Sequence, residues 1–335
     1  MNSGSTKRLL SSFSGFLPVE RMIASSGHRF VLPFWHAVSD VLLPHLSELY
    51  RVPTVSEFER DLDFLLKNYK PASVEDVFRL ANNKGKSNQN LFFPSFDDGL
   101  AECYHVIAPI LKKKGIQAAF FINPAFVGNK MLFHRLKSSL LLNSIAQIKP
   151  SGIKSAEQLL SNRNIHQFLH KATFTDHLLL DQLAEIFGLD FELFLKQKQP
   201  YMNLQQIREL HADGFLIGAH GMDHREFFLS SEDEILEQIS ASMELLTREI
   251  KPPINTFAFP FTDFKVSNSV FEKANTDRLW DMSFGTAGIK DETMKNHLQR
   301  IPMESGVSKN GEKIIRTEYI WYYLKSVFGK NKVSR

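Results

Sequence analysis

The sequence predicts an α/β protein built on a barrel of parallel strands, and three observations support this prediction. Short apolar runs alternate with amphipathic segments of helical length, which is typical of β/α units around a parallel sheet. Polar residues suited to chemistry directly follow several apolar runs, as they do at the carboxyl ends of barrel strands. The 335 residues, 43% of them hydrophobic, are enough for one large α/β unit with an insertion, or for two domains.

The elements follow one another in order along the chain. Strands are predicted at 29–35, 91–96, 117–122, 215–219 and 255–259. Helices are predicted from residue 56 onwards and at 73–80, 101–114, 203–213 and 231–250. Capping boxes are expected to start three of these helices, with the pairs Ser56 and Glu59, Asn203 and Gln206, and Ser231 and Glu234.

Residues 128–200 break this alternation. They are rich in Leu and Gln and show helical patterns without a strand pattern, so they are interpreted as a helical insertion of unknown role. The predicted organisation is an N-terminal arm (1–27), a barrel (28–308) that contains the insertion, and a basic aromatic C-terminal tail (309–335).

Composition excludes several classes of protein. A net charge of +3, from 40 basic and 37 acidic residues, gives no global field that favours nucleic acid. A single cysteine, Cys103, excludes an intramolecular disulfide framework and a Cys-rich zinc module, and we interpret it as a small core residue. No run approaches the ~20 apolar residues of a membrane span, and the N-terminal run 9–17 is too polar for a signal peptide. A cytoplasmic protein is therefore expected.

Two motifs that follow predicted strands contain metal-binding side chains. Asp97-Asp98-Gly99 has the composition of an ordinary turn, but two adjacent carboxylates at the open end of a buried strand repel each other unless a cation lies nearby. His220 and His224 are four residues apart, a spacing that suits one divalent ion, although isolated pairs of this kind are often plain surface or core histidines. One Asp and two His make a three-ligand site with open positions, typical of catalytic metals.

A third motif, Phe259-Pro260-Phe261, is by itself a buried strand closed by proline. Taken in order with Ser95-Phe96-Asp97-Asp98-Gly99 and the segment 220–224, it resembles the motifs of the polysaccharide deacetylases, the NodB-homology family or carbohydrate esterase family four. His36, in Phe34-Trp35-His36-Ala37-Val38, resembles an early motif of that family. The resemblance extends over about residues 30–303, and the ordered set of motifs is more specific than any one of them.

The resemblance implies a distorted (β/α)7 barrel and a metal-dependent deacetylase. Asp98, His220 and His224 would be the metal ligands, the ion most often being Zn²⁺, and Asp97 would be the general base. A metal that acidifies water and polarises the carbonyl suits the hydrolysis of an unreactive amide. The metal and the backbone N–H of Phe261, after Pro260, would hold the oxyanion, and a histidine would protonate the leaving amine.

The sequence departs from the family pattern at several positions. Gly221 replaces the usual Ser or Thr, and Ala258 replaces the Arg that normally pairs with the base. Arg300 is a candidate to replace that Arg at the substrate site, with a surface ion pair as the alternative. His297 is the leading candidate for the proton donor, with a surface-loop histidine as the alternative.

Other aromatic residues are weaker candidates for the site. His36 is expected to face the barrel mouth and contact substrate, or else to be structural, and Trp280 to floor the acetyl pocket, or else to pack in the core. The histidines of the insertion match no metal motif with a carboxylate, and we interpret them as structural; they are His134, His166, His170 and His177.

The expected function is hydrolysis of N-acetyl groups from an amino-sugar glycan or glycan precursor. The alternatives are an inactive glycan-binding barrel, which Gly221 and Ala258 would favour, and a C–N hydrolase acting on a non-sugar amide. The tail, with Lys325 among aromatic residues from Tyr319 onwards, is interpreted as a possible contact with an anionic membrane at the cytoplasmic face. Packing on the barrel followed by a solvated basic end is the alternative.

Overall fold

The strands of the chain are short and pair in parallel. The computed structural model describes residues 3–16, 18–83, 85–333 and 335. The strands are β1 (Phe30–Val31), β2 (Pro33–Trp35), β3 (Lys70–Pro71), β4 (Leu91–Phe92), β5 (Ser95–Phe96), β6 (Ala119–Ile122), β7 (Leu216–Ala219), β8 (Thr256–Ala258), β9 (Met282–Gly285), β10 (His297–Gln299) and β11 (Ile301–Pro302). A small sheet has the order β1-β4-β3, and a large sheet has the order β10-β9-β8-β7-β6-β5-β2-β11.

The large sheet is a barrel because its two ends belong to one segment. Only Arg300 separates β10 from β11, and the segment pairs with β9 on one side and with β2 on the other. The eight short strands therefore occupy seven positions around a ring. This confirms the predicted barrel of parallel strands with seven positions.

The helices are α1 (Ser3–Phe13), α2 (Val19–Ser26), α3 (Val55–Asn68), α4 (Val74–Asn82), α5 (Ala108–Lys114), α6 (His134–Ser144), α7 (Pro150–Leu159), α8 (Ile165–Lys171), α9 (His177–Phe187), α10 (Phe191–Lys198), α11 (Leu204–Ala212), α12 (Glu232–Ile250), α13 (Asn268–Thr276) and α14 (Gly311–Val327). A π-helical turn, Cys103–Ile107, leads into α5. None of the described helices is both long and apolar enough to cross a membrane.

The expected helix starts agree with the structure at two of three positions. The boxes at Asn203 and Ser231 form as predicted. The box expected at Ser56 and Glu59 is wrong, because α3 begins two residues earlier and is capped by Thr54, whose hydroxyl accepts from the Glu57 N–H at 3.3 Å. The Glu57 carboxylate accepts in turn from the Thr54 N–H at 3.0 Å. Thr54-x-x-Glu57 is the same pattern two residues upstream, so the motif alone did not decide the register.

Side chains along the barrel strands alternate between two cores. Those of Phe120, Ile217 and Phe257 pack with the surrounding helices, and Trp35 and Phe96 belong to the same cluster. The alternate residues face the interior of the ring and form a separate cluster with residues of α4; they include Ala119, Phe121, Leu216, Ala258, Met282, Phe284 and Leu298. Because both faces of the strands are buried, the strands read as continuous apolar runs.

The segment 128–200 consists of helices α6–α10 with short connections, and it has its own apolar cluster around residues such as Leu141, Leu169 and Leu183. It contacts the loop after β2 at a buried histidine: the ring of His45, 5% exposed, packs on Phe194 at 5.6 Å. Helix α14 packs on α1, α2 and α3. The division into arm, barrel and tail stays a prediction.

We predict that His45 makes stability depend on pH. Burial lowers the pKa of His45 to about 4, and its Nε2 atom has no hydrogen-bond partner among the described residues. The contribution of neutral His45 to the free energy of unfolding is fully present above the ordinary histidine pKa of about 6.5. It decreases as the pH falls towards 4, because the unfolded chain then binds a proton that the folded chain binds less readily. At pH 4 the loss from this residue amounts to about 3 kcal/mol.

Urea unfolding at pH 7 and pH 4 measures this effect, with His45→Leu compared with wild type. The variant should lose less stability than wild type between the two pH values, while His166→Leu, at an exposed histidine, should behave like wild type. An equal loss of stability in His45→Leu and wild type would contradict the prediction.

Candidate active site

The carboxyl ends of the barrel strands bring the predicted motifs to one end of the ring. Asp97 and Asp98 follow β5, His220 follows β7, and Pro260 and Phe261 follow β8. Because the strands are parallel, these residues share one face of the barrel although Asp97 and Phe261 lie 164 positions apart in sequence.

Asp98, His220 and His224 come together as a compact group. Each offers a ligand atom, and these atoms lie within 4.8 Å of one another. The Asp98 Oδ1 atom is 3.6 Å from His220 Nε2 and 3.1 Å from His224 Nε2. All three residues are buried. Burial alone raises the pKa of Asp98, but His224 and the other neighbouring histidines outweigh it and hold the pKa below its usual range.

The residues present fit a divalent metal ion. One carboxylate and two imidazoles are a donor set that zinc accepts. His224 Nε2 lies 3.1 Å from Asp98 Oδ1, but not in hydrogen-bonding geometry, so this buried oxygen has no hydrogen-bond partner among the described residues. Such an arrangement is costly unless a cation compensates it. The Nδ1 atom of His220 lies 2.8 Å from the Ala258 carbonyl, to which it donates; this leaves Nε2 as the atom free to bind a metal.

The loop that carries the two histidines is held by side chains from neighbouring elements. Asn123, which follows β6, donates through Nδ2 to the carbonyls of His220 and Gly221. Gln238, on α12, accepts through Oε1 from the N–H of Met222 at 3.0 Å. Gly221 has a positive φ of 72°, and a Cβ atom there would lie 3.2 Å from Pro260. Glycine at this position therefore follows from the backbone, and Gln238 supports the loop from the side.

Asp97 is bound by Arg300 through two parallel hydrogen bonds. Arg300 Nη1 donates to Oδ1 at 2.7 Å and Nη2 to Oδ2 at 2.9 Å. Both side chains are buried, Arg300 fully so, which excludes the alternative of a surface ion pair. Burial raises the pKa of Asp97, and the Arg300 guanidinium reverses this and lowers the pKa below its usual value. Arg300 thus contacts the candidate base; its proposed contact with substrate stays a prediction.

His36 lies at the end of β2, beside the carboxylates. Its Nδ1 atom pairs with Glu304, which follows β11, and its ring stacks on Tyr50 at 4.7 Å. Burial lowers the pKa of His36, but the Glu304 carboxylate outweighs it and raises the pKa to about 9. The side chain is 23% exposed. The Glu304 carboxylate therefore favours the protonated form of His36, whose side chain is partly exposed.

Phe261 joins an aromatic cluster on His224. The ring of Phe261 lies 4.6 Å from the ring of His224. The ring of Phe133, from the insertion, lies 4.4 Å from the same histidine ring. Phe261 has a positive φ of 55°, and within the described residues its N–H has no acceptor. Phe261 is 37% exposed, so the residue lies at the surface beside His224.

His297 does not join this group. It is fully buried, with Nδ1 2.8 Å from Ser283 Oγ and Nε2 3.2 Å from Asp263 Oδ2, and its ring packs on Phe259 and Phe271. These neighbours lie outside the barrel wall, whereas Arg300, three residues on, points into the ring. The alternative of a surface-loop histidine is also excluded by this burial.

The cluster around His297 contains a second set of possible ligand atoms, from Asp263, Glu292 and His297. Arg335 already supplies a positive charge there, since Nη2 lies 3.0 Å from Asp263 and 2.9 Å from Glu292. The cluster is therefore a buried ion-pair network beside the barrel.

Trp280 also lies outside the ring. It packs against Phe257, Phe259 and Phe271, and its Nε1 donates to Asn275 at 3.0 Å. These contacts agree with the core-packing alternative. Pro260 lies on the site side, next to Gly221.

Sequence reasoning missed several residues that support the site. Asn123 directly follows β6, and Glu304 lies two residues after β11. The rule that polar residues at strand ends mark a site would therefore have found both. Gln238 lies in the middle of α12, and Glu226 and His134 are distant in sequence, so no local pattern pointed to them.

Known polysaccharide deacetylases are similar to this chain in sequence pattern and in fold. The family model described as polysaccharide deacetylase matches residues 84–276. The search of curated proteins gives no match. Among solved structures, the chain is similar to the deacetylase PplD of Streptococcus pyogenes in complex with acetate, with a TM-score of 0.55 and 15% identity over 86% of this chain and 97% of that one.

IcaB from Ammonifex degensii gives a TM-score of 0.53 and 15% identity, with 86% of this chain and 97% of that chain covered. The polysaccharide deacetylase BC0361 from Bacillus cereus gives 0.51 and 13%, with coverage of 86% and 68%. At these identities the structures show a common fold. The family model covers more than half of the sequence, and the protein is therefore an enzyme of the polysaccharide deacetylase family.

Proposed function

We propose that the protein hydrolyses N-acetyl groups of an amino-sugar glycan or glycan precursor, with a divalent ion, most often Zn²⁺ in such sites, held by Asp98, His220 and His224. The observation that carries the proposal is the second carboxylate, Asp97, held by Arg300 beside this group without belonging to it. Metal-assisted amide hydrolysis can use one carboxylate to bind the ion and a second one to accept the proton of the attacking water.

A divalent ion at this position would lower the pKa of water and polarise the acetyl carbonyl. Asp97 is ionised and faces the group, with its Oδ2 atom 3.7 Å from His220 Nε2, and it takes the proton released by the attacking water. Arg300 fixes both oxygens of Asp97, so the base cannot rotate away. The free N–H of Phe261 donates to the oxygen on which negative charge develops.

The leaving amine needs a proton, and His36 is better placed to give it than His297. Glu304 raises the pKa of His36 to about 9, which favours a protonated ring, and the side chain is 23% exposed, whereas His297 is enclosed outside the ring. Glu304 holds one nitrogen of His36 and directs the other away from itself. The proton donor expected at His297 is thus reassigned within this proposal.

Two departures from the family pattern motivated the alternative of an inactive glycan-binding barrel. In the structure each departure is accompanied by a replacement: Arg300 binds Asp97 where Ala258 cannot, and Gln238 supports the loop at Gly221. These replacements favour an active enzyme. The sugar, and the preference for N- over O-acetyl groups, stay proposals.

Metal content and acetate release together test this function. Wild type is expected to hold close to one divalent ion per chain after mild chelation and re-addition of zinc, and to release acetate from N-acetylglucosamine oligomers. His220→Ala should lose both properties. Asp97→Asn should keep the ion and lose activity by about 10³-fold or more, because only the base is removed.

The two measurements separate the possible failures. Equal and low metal content in wild type and His220→Ala would contradict the metal site. Full acetate release by Asp97→Asn would contradict the role of the base. A wild type that binds metal but releases no acetate from these oligomers would reject this substrate and direct the search to other acetylated sugars.

Arg300 is predicted to act through Asp97. Arg300→Lys keeps the charge but loses the paired hydrogen bonds, so kcat should fall about 10- to 100-fold with metal content unchanged. Arg300→Met leaves a buried carboxylate unpaired, and the free energy of unfolding should fall by about 3–5 kcal/mol. Arg248→Lys, at an exposed position, is the control; a wild-type kcat in Arg300→Lys would refute the prediction.

We also propose a peripheral membrane contact through the end of α14, where Val327 and Phe328 are 78% and 73% exposed beside Lys325 and Lys330. Deleting the whole tail is a poor test, because Tyr319 is buried and donates to the His28 carbonyl at 2.8 Å. The cytoplasmic location stays a prediction of the sequence.

Replacing Val327 and Phe328 together by Ser should reduce co-sedimentation with phosphatidylglycerol vesicles several-fold, because the substitution removes the exposed apolar side chains that would enter the lipid. Leu178→Ser with Leu193→Ser, at exposed apolar positions of the insertion, is the matched control. Equal sedimentation of tail variant, control and wild type would reject the contact.

A further inference from the structure

The insertion, residues 128–200, touches the metal-binding loop at three consecutive residues. The ring of His224 packs on Phe133 at 4.4 Å, the Arg225 guanidinium lies 4.4 Å from the ring of Phe174, and Glu226 binds His134 and Phe174. Phe133 and His134 start α6, and Phe174 lies between α8 and α9. The insertion therefore contacts the loop at its second proposed metal-binding histidine and at the two residues that follow it.

The two histidines of the loop are oriented in different ways. His220 is fixed by a hydrogen bond from its Nδ1 to the Ala258 carbonyl. His224 has no such bond: its Nδ1 atom is buried and lacks a hydrogen-bond partner in the described part of the chain. Its ring is held instead by packing between Phe133 and Phe261. The orientation of His224 thus depends on where the insertion lies.

The backbone at His224 also needs outside support. Its φ is 55°, in the left-handed region that a residue with a Cβ adopts only when its surroundings hold it there. The loop from 220 to 226 has no regular secondary structure of its own. Two residues after His224, the carboxylate of Glu226 connects this backbone to the insertion through His134 and Phe174.

Glu226 makes a buried two-sided contact with the insertion. Its Oε1 atom lies 3.0 Å from His134 Nε2, and its Oε2 atom accepts from the Phe174 N–H at 3.1 Å. The side chains of His134 and Glu226 are only 2% and 6% exposed. A buried hydrogen-bonded carboxylate of this kind is costly to break, because its partners would be left without hydrogen bonds.

We propose that Glu226 is a positioning residue that couples the insertion to the metal site, with His134 as its partner, so that the insertion sets the geometry of His224. The proposal deepens the proposed function and rests on its metal site. His134, interpreted from sequence as structural, then has a role in metal binding without being a ligand.

The affinity for zinc, measured by competition with a chelator, tests this coupling. Glu226→Ala should weaken zinc binding about 10- to 100-fold, as the loss of groups that orient metal ligands does. His134→Ala should have a similar effect, and the double variant should be no worse than the stronger single one, because both remove the same contact. Glu226→Gln, which keeps one acceptor oxygen, should restore part of the affinity.

Asp181→Asn is the matched control. It removes an ion pair of the insertion, Lys137 with Asp181 at 2.6 Å, that does not reach the loop. This variant should bind zinc like wild type. If Glu226→Ala binds zinc like wild type while its Tm falls, Glu226 is only structural and the proposal is wrong; additive effects of Glu226→Ala and His134→Ala would also overturn it.

Hydrogen exchange of the amides in 220–226 distinguishes this proposal from the proposed function. Faster exchange in Glu226→Ala and His134→Ala, but not in Asp181→Asn, is expected with or without zinc. If wild type binds no zinc but the two variants still show faster exchange, the metal function is rejected and the support of the loop by Glu226 and His134 is kept. Unchanged exchange in every variant would reject that support.

Discussion

The buried pair of Arg300 and Asp97 depends on how the barrel closes, and the site depends on that pair. Two charges removed from water are stable only when their geometry is good and their remaining hydrogen bonds are satisfied. Arg300 meets this condition with Asp97, the Ser95 hydroxyl and the Gly285 carbonyl, and its guanidinium lies 4.4 Å from the ring of Phe34. Arg300 lies between β10 and β11, so the segment that closes the ring also carries the counterion of the base.

This arrangement makes Ala258 compatible with the proposed site. The carbonyl of Ala258 orients His220, so the residue still serves the site through its backbone while Arg300 supplies the guanidinium from another strand. Gly221 is similar. Its positive φ excludes a strain-free Ser or Thr, and the support for the loop comes from the side chains of Gln238 and Asn123. In both cases a side chain expected within a motif is replaced by one from a different element.

Much of the fold and part of the site could be predicted from the sequence because strand ends in a parallel barrel converge. That constraint places Asp97, Asp98, His220 and Phe261 on one face before any coordinates are known. It does not decide which side of a strand a residue faces when both sides are buried, because the pattern of apolar residues then carries no period of two. For this reason His297 and Arg300, three residues apart, were not assigned to opposite sides of the wall. The register of α3 failed for a related reason, since two overlapping capping patterns fit the same sequence.

The contacts of the insertion lie beyond any local pattern, and they change how the site is understood. His134 and Glu226 are far apart in sequence and look like ordinary polar residues, yet together they bury a charge beside the metal-binding loop. One of the loop's histidines is held by a barrel carbonyl, and the other by aromatic rings, one of which the insertion provides. In the proposed metal site, the barrel thus orients His220 and the helical insertion helps to orient His224. Because close-packed interiors transmit strain through their contacts, changes in the insertion would reach the proposed metal site through His224, which Phe133 touches, before they reached it through His220, which a strand carbonyl holds.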